Sequence, residues 1–304
     1  MDGKTKNTAA SVHQRLLNKS RESSRPFNEL LQHFAIERFI YRLSKSPHAD
    51  RFILKGALMF AAWIGSMSRP TMDIDLLGKI ENSLELIRTV IKDACTMEVE
   101  NDGIVFHKDM VTAARITEDA DYRGARVMLR GNLGKIRLFL RIDIGFGDVI
   151  IPGPRKVKYP VLLDFPPPEL NGYTRESTLA EKFQAMVKLG SLNSRMKDFY
   201  DIWFLSQMFN FKGETLVEAI EKTFEKRKTP LPKELTIFTP SFMKDENKQA
   251  QWQGFINKTK LGDAPKSFEN VIAGIKKFLQ PVVASINDQQ TFRFFWTASG
   301  PWST

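Results

Sequence analysis

Cysteine is almost absent: Cys95 is the only one in 304 residues. This excludes an intramolecular disulfide framework and any cysteine-cluster zinc site, and it suits a reducing compartment, so the expected location is the cytoplasm. Histidine is scarce too. The four present, His13, His33, His48 and His107, have no metal-ligand or triad spacing and are expected to be surface or satisfied core residues. Long apolar runs are missing. The longest uncharged apolar stretch, residues 56–65, is too short to span a bilayer, and the first 26 residues lack an apolar signal segment, so neither secretion nor a membrane partner is expected. Acidic charge is also in deficit. Thirty-five Asp and Glu stand against 45 Lys and Arg, a net +10 that favours an anionic partner.

The composition that remains is that of a folding protein. Apolar residues make up 42%, charged residues 26%, and there are 23 phenylalanines. No internal repeat or low-complexity tract is visible. Residues 1–55 hold 11 basic against 5 acidic side chains, which places the expected anion-binding excess near the N-terminus. Helical spacing over 27–41 predicts an amphipathic helix, and 52–64 reads as a short strand, a turn at Gly56 and a buried helix. Residues 71–77 and 136–146 alternate as strands with one polar face each, separated in sequence by a helix over 83–94. The Pro-rich, basic stretch 152–168 reads as a loop and an edge strand near a domain boundary at 172. Beyond it helices dominate. Thr178 and Glu181 have capping-box spacing, 214–228 and 267–279 read as amphipathic helices, and Pro281 is expected to stop the second. The aromatic tail, Phe292, Phe294, Phe295, Trp296 and Trp302, is expected to pack against the body of the protein rather than stack on bases.

The sharpest chemistry is in carboxylates. A strand period of two puts Asp73 and Asp75 side by side, and a second strand brings Asp143. Three such hard oxygen ligands suit Mg²⁺, which keeps positions for water and substrate phosphates; two ions about 4 Å apart would serve an in-line displacement. A DxD pair is also common as a solvated strand face. Its surroundings strengthen the functional reading: Lys55-Gly56-Ala57 precede it as a small-residue turn entering a helix, where backbone N–H groups can hold phosphates. Arg69 and Thr71 either contact phosphate or serve locally, in a surface salt bridge and a strand cap. Downstream, Lys182 lies on a helix flank within reach of a triphosphate. Asp198 and Asp201 share a helix face beside Arg195 and Lys197, either solvated or held as a polar cluster.

Taken together, Lys55-Gly56-Ala57, Arg69-x-Thr71-x-Asp73-x-Asp75, the Asp143 strand, Ala180-Glu181-Lys182 and Arg195-x-Lys197-Asp198-x-x-Asp201 resemble the AbiEii/AbiGii nucleotidyltransferase toxins. That family includes the MenT toxins and belongs to the DNA polymerase β-like nucleotidyltransferase superfamily. The resemblance is detailed over residues 50–205 and loose beyond. It implies an α+β fold: an N-terminal nucleotidyltransferase domain with a mixed sheet and basic helical start (1–172), then a mainly helical domain (173–304). It also implies Mg²⁺-dependent (or Mn²⁺-dependent) transfer of NMP from NTP, in some members to the 3′ end of tRNA, and a cognate antitoxin protein. Ala57 stands where the family usually has Gly or Ser, so a hydroxyl contact to phosphate is lost while the backbone N–H remains.

The expected function is therefore a toxin that transfers NMP from NTP to RNA, plausibly tRNA. Asp73, Asp75 and Asp143 are the expected metal ligands, with Asp143 also the base. Lys55, Gly56, Ala57, Arg69, Thr71, Lys182 and Arg195 are assigned to the nucleotide, and Asp198 or Asp201 orients Lys182 or the nucleoside. A two-metal phosphodiesterase and a non-catalytic RNA-binding module are the rival readings. Removing one aspartate is expected to relieve repulsion among like charges.

Overall fold

Alternation of apolar and polar residues over 124–133 and 136–146 makes β5 (Gly124–Leu133) and β6 (Ile136–Phe146), joined by a tight turn and paired antiparallel from Ala125 opposite Ile144 to Leu133 opposite Ile136. The computed structural model describes residues 7–65, 71–116 and 124–304. It divides into two units: Met1–Gly147 with Arg155–Gly172, and Asp148–Pro154 with Tyr173–Thr304.

In the first unit, β1 (Phe52–Lys55), β2 (Asp73–Gly78), β3 (Ile104–Phe106), β4 (Thr112–Ile116), β7 (Arg155–Lys158) and β8 (Glu169–Gly172) complete one mixed sheet. Its order is β3-β5-β6-β2-β1-β8-β7, with β4 beside β3 on the same edge of β5. β2 runs parallel to β6 and antiparallel to β1. One face is apolar: Ile74 and Leu76 of β2, Leu138, Leu140, Ile142 and Ile144 of β6, and Val127 and Leu129 of β5 are all buried. Helices α2 (Phe27–Lys45) and α4 (Leu84–Thr96) cover this side, with α1 (Thr8–Ser23) against α2. The short α3 (Leu58–Ile64) lies against β1. The N-terminal basic excess is partly spent internally. Arg38 and Arg42 of α2 grip the buried Asp102 at 3.0 and 2.6 Å, so these two cations are not offered to a partner. Burial pushes the Asp102 carboxyl up, but hydrogen bonds and charge from Arg42, with Arg38, win and hold it below its ordinary range.

The second unit is mainly helical: α5 (Arg175–Leu189), α6 (Met196–Met208), α7 (Gly213–Lys226), α8 (Pro240–Met243), α9 (Glu246–Thr259) and α10 (Phe268–Asn287). The sequence places the cap at Thr178, whereas the observed cap of α5 lies four residues earlier. Thr174 is its N-cap, accepting from Ser177 N, and Thr178 is buried within the first turns. Pro281 does not stop α10. Phe278, Leu279, Val282 and Val283 are buried on both sides of it, and that apolar face carries the helix past one missing hydrogen bond. The tail forms β10 (Phe295–Trp296) and β11 (Trp302–Ser303), paired in a small sheet with β9 (Phe211–Lys212). Trp296 is buried and donates to Ser206 O, and Trp302 stacks on Phe278 with centroids 5.6 Å apart, so these two and buried Phe292 pack as expected, whereas Phe294 and Phe295 remain exposed. Among the described residues no helix is long and apolar enough to cross a membrane.

Candidate active site

The open face of the first unit's sheet carries the predicted carboxylates. Asp75 of β2 and Asp143 of β6 are register partners on parallel strands, about 4.8 Å apart along the hydrogen-bonding direction. Asp73 lies two residues along β2 on the same face and opposite Arg141. Lys55 ends β1 opposite Asp75. Gly56 follows with φ +68°, and a Cβ there would overlap the Asp75 carboxylate, so this turn needs glycine for both backbone and space. Ala57 is the residue before α3, which is only seven residues long. Thr71 Oγ1 lies 3.4 Å from Asp73 O at the start of β2, the strand-capping position. Arg69 falls outside the described residues.

Two arginines that sequence patterning did not assign complete this face. Arg126 of β5 holds both oxygens of Asp143, at 2.8 and 2.9 Å, and Arg141 pairs with Asp73. The hydrogen bond to Asp73 raises the already high pKa of Arg141. These pairs overturn the picture of an unrelieved cluster of like charge. They were invisible because cross-strand partners depend on register, which alternation alone does not give. Among the described residues no group of three His, Cys, Asp or Glu is closed up for a metal. The donor chemistry nevertheless fits a hard divalent cation. Three carboxylates lie on one face and already attract positive groups, Arg141 at Asp73 and Arg126 at Asp143 among them, leaving phosphate and water oxygens to complete a shell.

The remaining predicted residues lie in the second unit. Lys182 of α5 is clamped between Asp198 and Asp201 of α6, at 2.7 and 2.8 Å, and Arg195 reaches Asp198 at 3.1 Å. The aspartate side chains are only 3% and 0% exposed, so they are a held cluster and not a solvated face. Lys182 is spent on them in this state instead of standing on an open flank. A second cluster was missed: Arg227, just after α7, pairs with Asp148 at 2.9 Å and Glu181 at 3.2 Å. Only Glu181 had a sequence signal, as part of the Ala180-Glu181-Lys182 motif.

A mixed sheet with its DxD strand beside a strand carrying a third aspartate, followed by a helical unit, is the architecture of nucleotidyltransferases. Over residues 38–274 the chain matches the model of the AbiEii nucleotidyl transferase toxins, described as a type IV TA system, and it belongs to that family. It is a toxin-family nucleotidyltransferase. Among solved structures it is similar to MenT4, a nucleotidyltransferase toxin of Mycobacterium tuberculosis H37Rv, at 14% identity and TM-score 0.53, covering 93% of this chain and 99% of that one. It is also similar to JHP933 of Helicobacter pylori, at 15% identity and TM-score 0.50, covering 86% and 94%. At such identities the likeness is one of fold. No curated protein matches the chain.

Proposed function

We propose that this nucleotidyltransferase moves NMP from NTP onto an RNA 3′ end, with tRNA as the acceptor, and that a cognate antitoxin protein restrains it. The observation that supports this most is the carboxylate face: Asp75 and Asp143 adjacent across parallel strands, with Asp73 on the same side. Residues 1–172 are assigned as the nucleotidyltransferase domain and 173–304 as its helical companion. Asp73, Asp75 and Asp143 would hold Mg²⁺ or Mn²⁺, which when bound supplies Lewis-acid polarisation of the phosphates. Lys55 and the backbone at Gly56 and Ala57 bind the nucleotide's phosphates, and Arg69 and Thr71 are assigned to the nucleotide with them. The acceptor hydroxyl oxygen attacks the α-phosphorus, the bond to the β-phosphate oxygen breaks, and pyrophosphate leaves. Asp143 takes the hydroxyl proton, which requires Arg126 to release the carboxylate it holds. Lys182 neutralises the leaving phosphates, while Asp198 and Asp201 orient it and Arg195 steadies Asp198.

The test is incubation of the purified chain with α-labelled NTP, a divalent cation and total bacterial RNA. Label should appear at RNA 3′ ends and vanish in Asp75→Asn and Asp143→Asn. Both variants should stay folded, with stability within about 1 kcal/mol, because charges on a partly exposed sheet face contribute little. Transfer within tenfold of wild type in either variant removes the assignment. Label appearing only on protein removes the RNA acceptor.

A further inference from the structure

The open sheet face does not end at the carboxylates. Along β5 and β6 the outward residues pair in register as Arg126 with Asp143, Met128 with Arg141, Arg130 with Phe139, and Asn132 with Arg137. Phe139 is 52% exposed and Met128 41%, unusual for large apolar side chains in mid-strand. The Arg130 guanidinium lies over the Phe139 ring at 5.6 Å, and Arg130 and Arg137 are exposed. Four arginines and an open aromatic ring thus form one row, running about 20 Å from Asp143 to Arg137 at the rise of a strand.

We propose that this row is the seat of the acceptor strand, a deepening that rests on the RNA reading above. The 3′ end of single-stranded RNA lies at Asp143, and the preceding nucleotides run along β5 and β6 toward Arg137. One base stacks on Phe139, and phosphates meet Arg130 and Arg137. Charge complementarity selects this occupant: arginines serve the polyanion and an exposed ring serves any base face. An acidic protein would suit the arginines alone and would leave the exposed Phe139 ring without a base to stack on it. The row is also continuous with the carboxylates, as an acceptor whose terminal hydroxyl must reach them requires.

The experiment is fluorescence anisotropy of a labelled 12-nucleotide single-stranded RNA with the full chain in EDTA, so that binding is read apart from transfer. Phe139→Ala should weaken binding on the order of tenfold, the worth of one stacked base, and Phe139→Trp should keep it. The double variant Arg130→Gln/Arg137→Gln should weaken binding and reduce the slope of log K against log salt by about 1.4, roughly 0.7 for each phosphate contact. Arg88→Gln, exposed on α4 across the sheet, should bind as wild type. RNA binding within twofold of wild type in both the Phe139→Ala and the double-arginine variants overturns the platform. Wild-type transfer to RNA in that case leaves the nucleotidyltransferase reading standing, whereas a wild type that neither binds nor labels RNA overturns both. If the arginine variant loses binding to poly-glutamate but not to RNA, the face serves an acidic protein and the proposal falls.

Discussion

At the scale of single residues, the second unit's ion cluster carries the largest energetic consequence. Lys182 bridges two aspartates that have almost no solvent access. Lys182→Ala removes this shared cation and leaves Asp198 with Arg195, so urea denaturation should show a loss of about 3–5 kcal/mol. An activity loss in that variant therefore says little, and Lys182→Arg, read as KM against kcat, is the better probe of a phosphate role. Glu37 makes a second prediction. Burial raises its carboxyl from 4.5 to about 7, against the lowering effects of the Leu162 amide and Arg38, with Asp102 also pushing it up. The folded state thus holds a proton that the unfolded state releases. This contribution is complete below about pH 4.5 and is lost as pH rises through 7, on the order of 3 kcal/mol. Nearby His33, lowered to about 3 by burial and by the charge of Arg25, acts oppositely, its contribution falling as pH drops from 6.5. Glu37→Gln, which keeps an oxygen for Leu162 N, isolates the first effect. Its stability relative to wild type should climb between pH 4.5 and 7, and a pH-independent difference would refute the assignment.

At the scale of elements, the start of α5 offers a clean test. Thr174 caps it by accepting from Ser177 N, so Thr174→Ala should cost about 1 kcal/mol in thermal or urea unfolding, whereas Glu181→Ala should leave that cap intact. The sequence pointed to the right helix with the wrong first residue, because Thr178 has the Thr-x-x-Glu spacing while Thr174, with Ser177 three residues on, caps without that signature, and only backbone geometry reveals it. Strands were more legible. β6 has the bounds 136–146 read from the sequence and alternates from 137 to 144, since burial of one face enforces a period of two. The carboxylates' shared face was legible for the same reason. Their arginine partners were not, because Arg126 meets Asp143 only through the β5–β6 register. Pro281 misled through a local rule: a helix buried along Phe278, Leu279 and Val282 outweighs one lost hydrogen bond.

At the scale of the molecule, the formal charge of +10 has to be apportioned before it can be assigned to a partner. Arg38 and Arg42 are internal, while Arg130 and Arg137 face solvent on β5 and β6. Expression of the chain alone in a bacterial host should slow growth, and Asp73→Ala should abolish both the slowing and the nucleotide addition to RNA. Toxicity persisting in a stably folded Asp73→Ala variant would point to RNA sequestration. In that case binding in EDTA should survive and fall steeply with salt.

The chain passes between its two units at 147/148, 154/155 and 172/173, and this dictates an order of assembly during synthesis. Strand β1 is made early, but its parallel neighbour β8 ends at Gly172, so the first sheet is incomplete until that residue clears the ribosome. Residues 148–154 must wait longer still: the partners of Ile151 and Asp148 are Ser177 and Arg227, made well after them. A nascent chain stalled at 147 would therefore lack β7 and β8 and leave one edge of β1 unpaired, whereas a stall after 172 would leave only the seven-residue excursion without its partners. Translation-arrest proteolysis at the two lengths should show the difference, with the longer chain the more resistant.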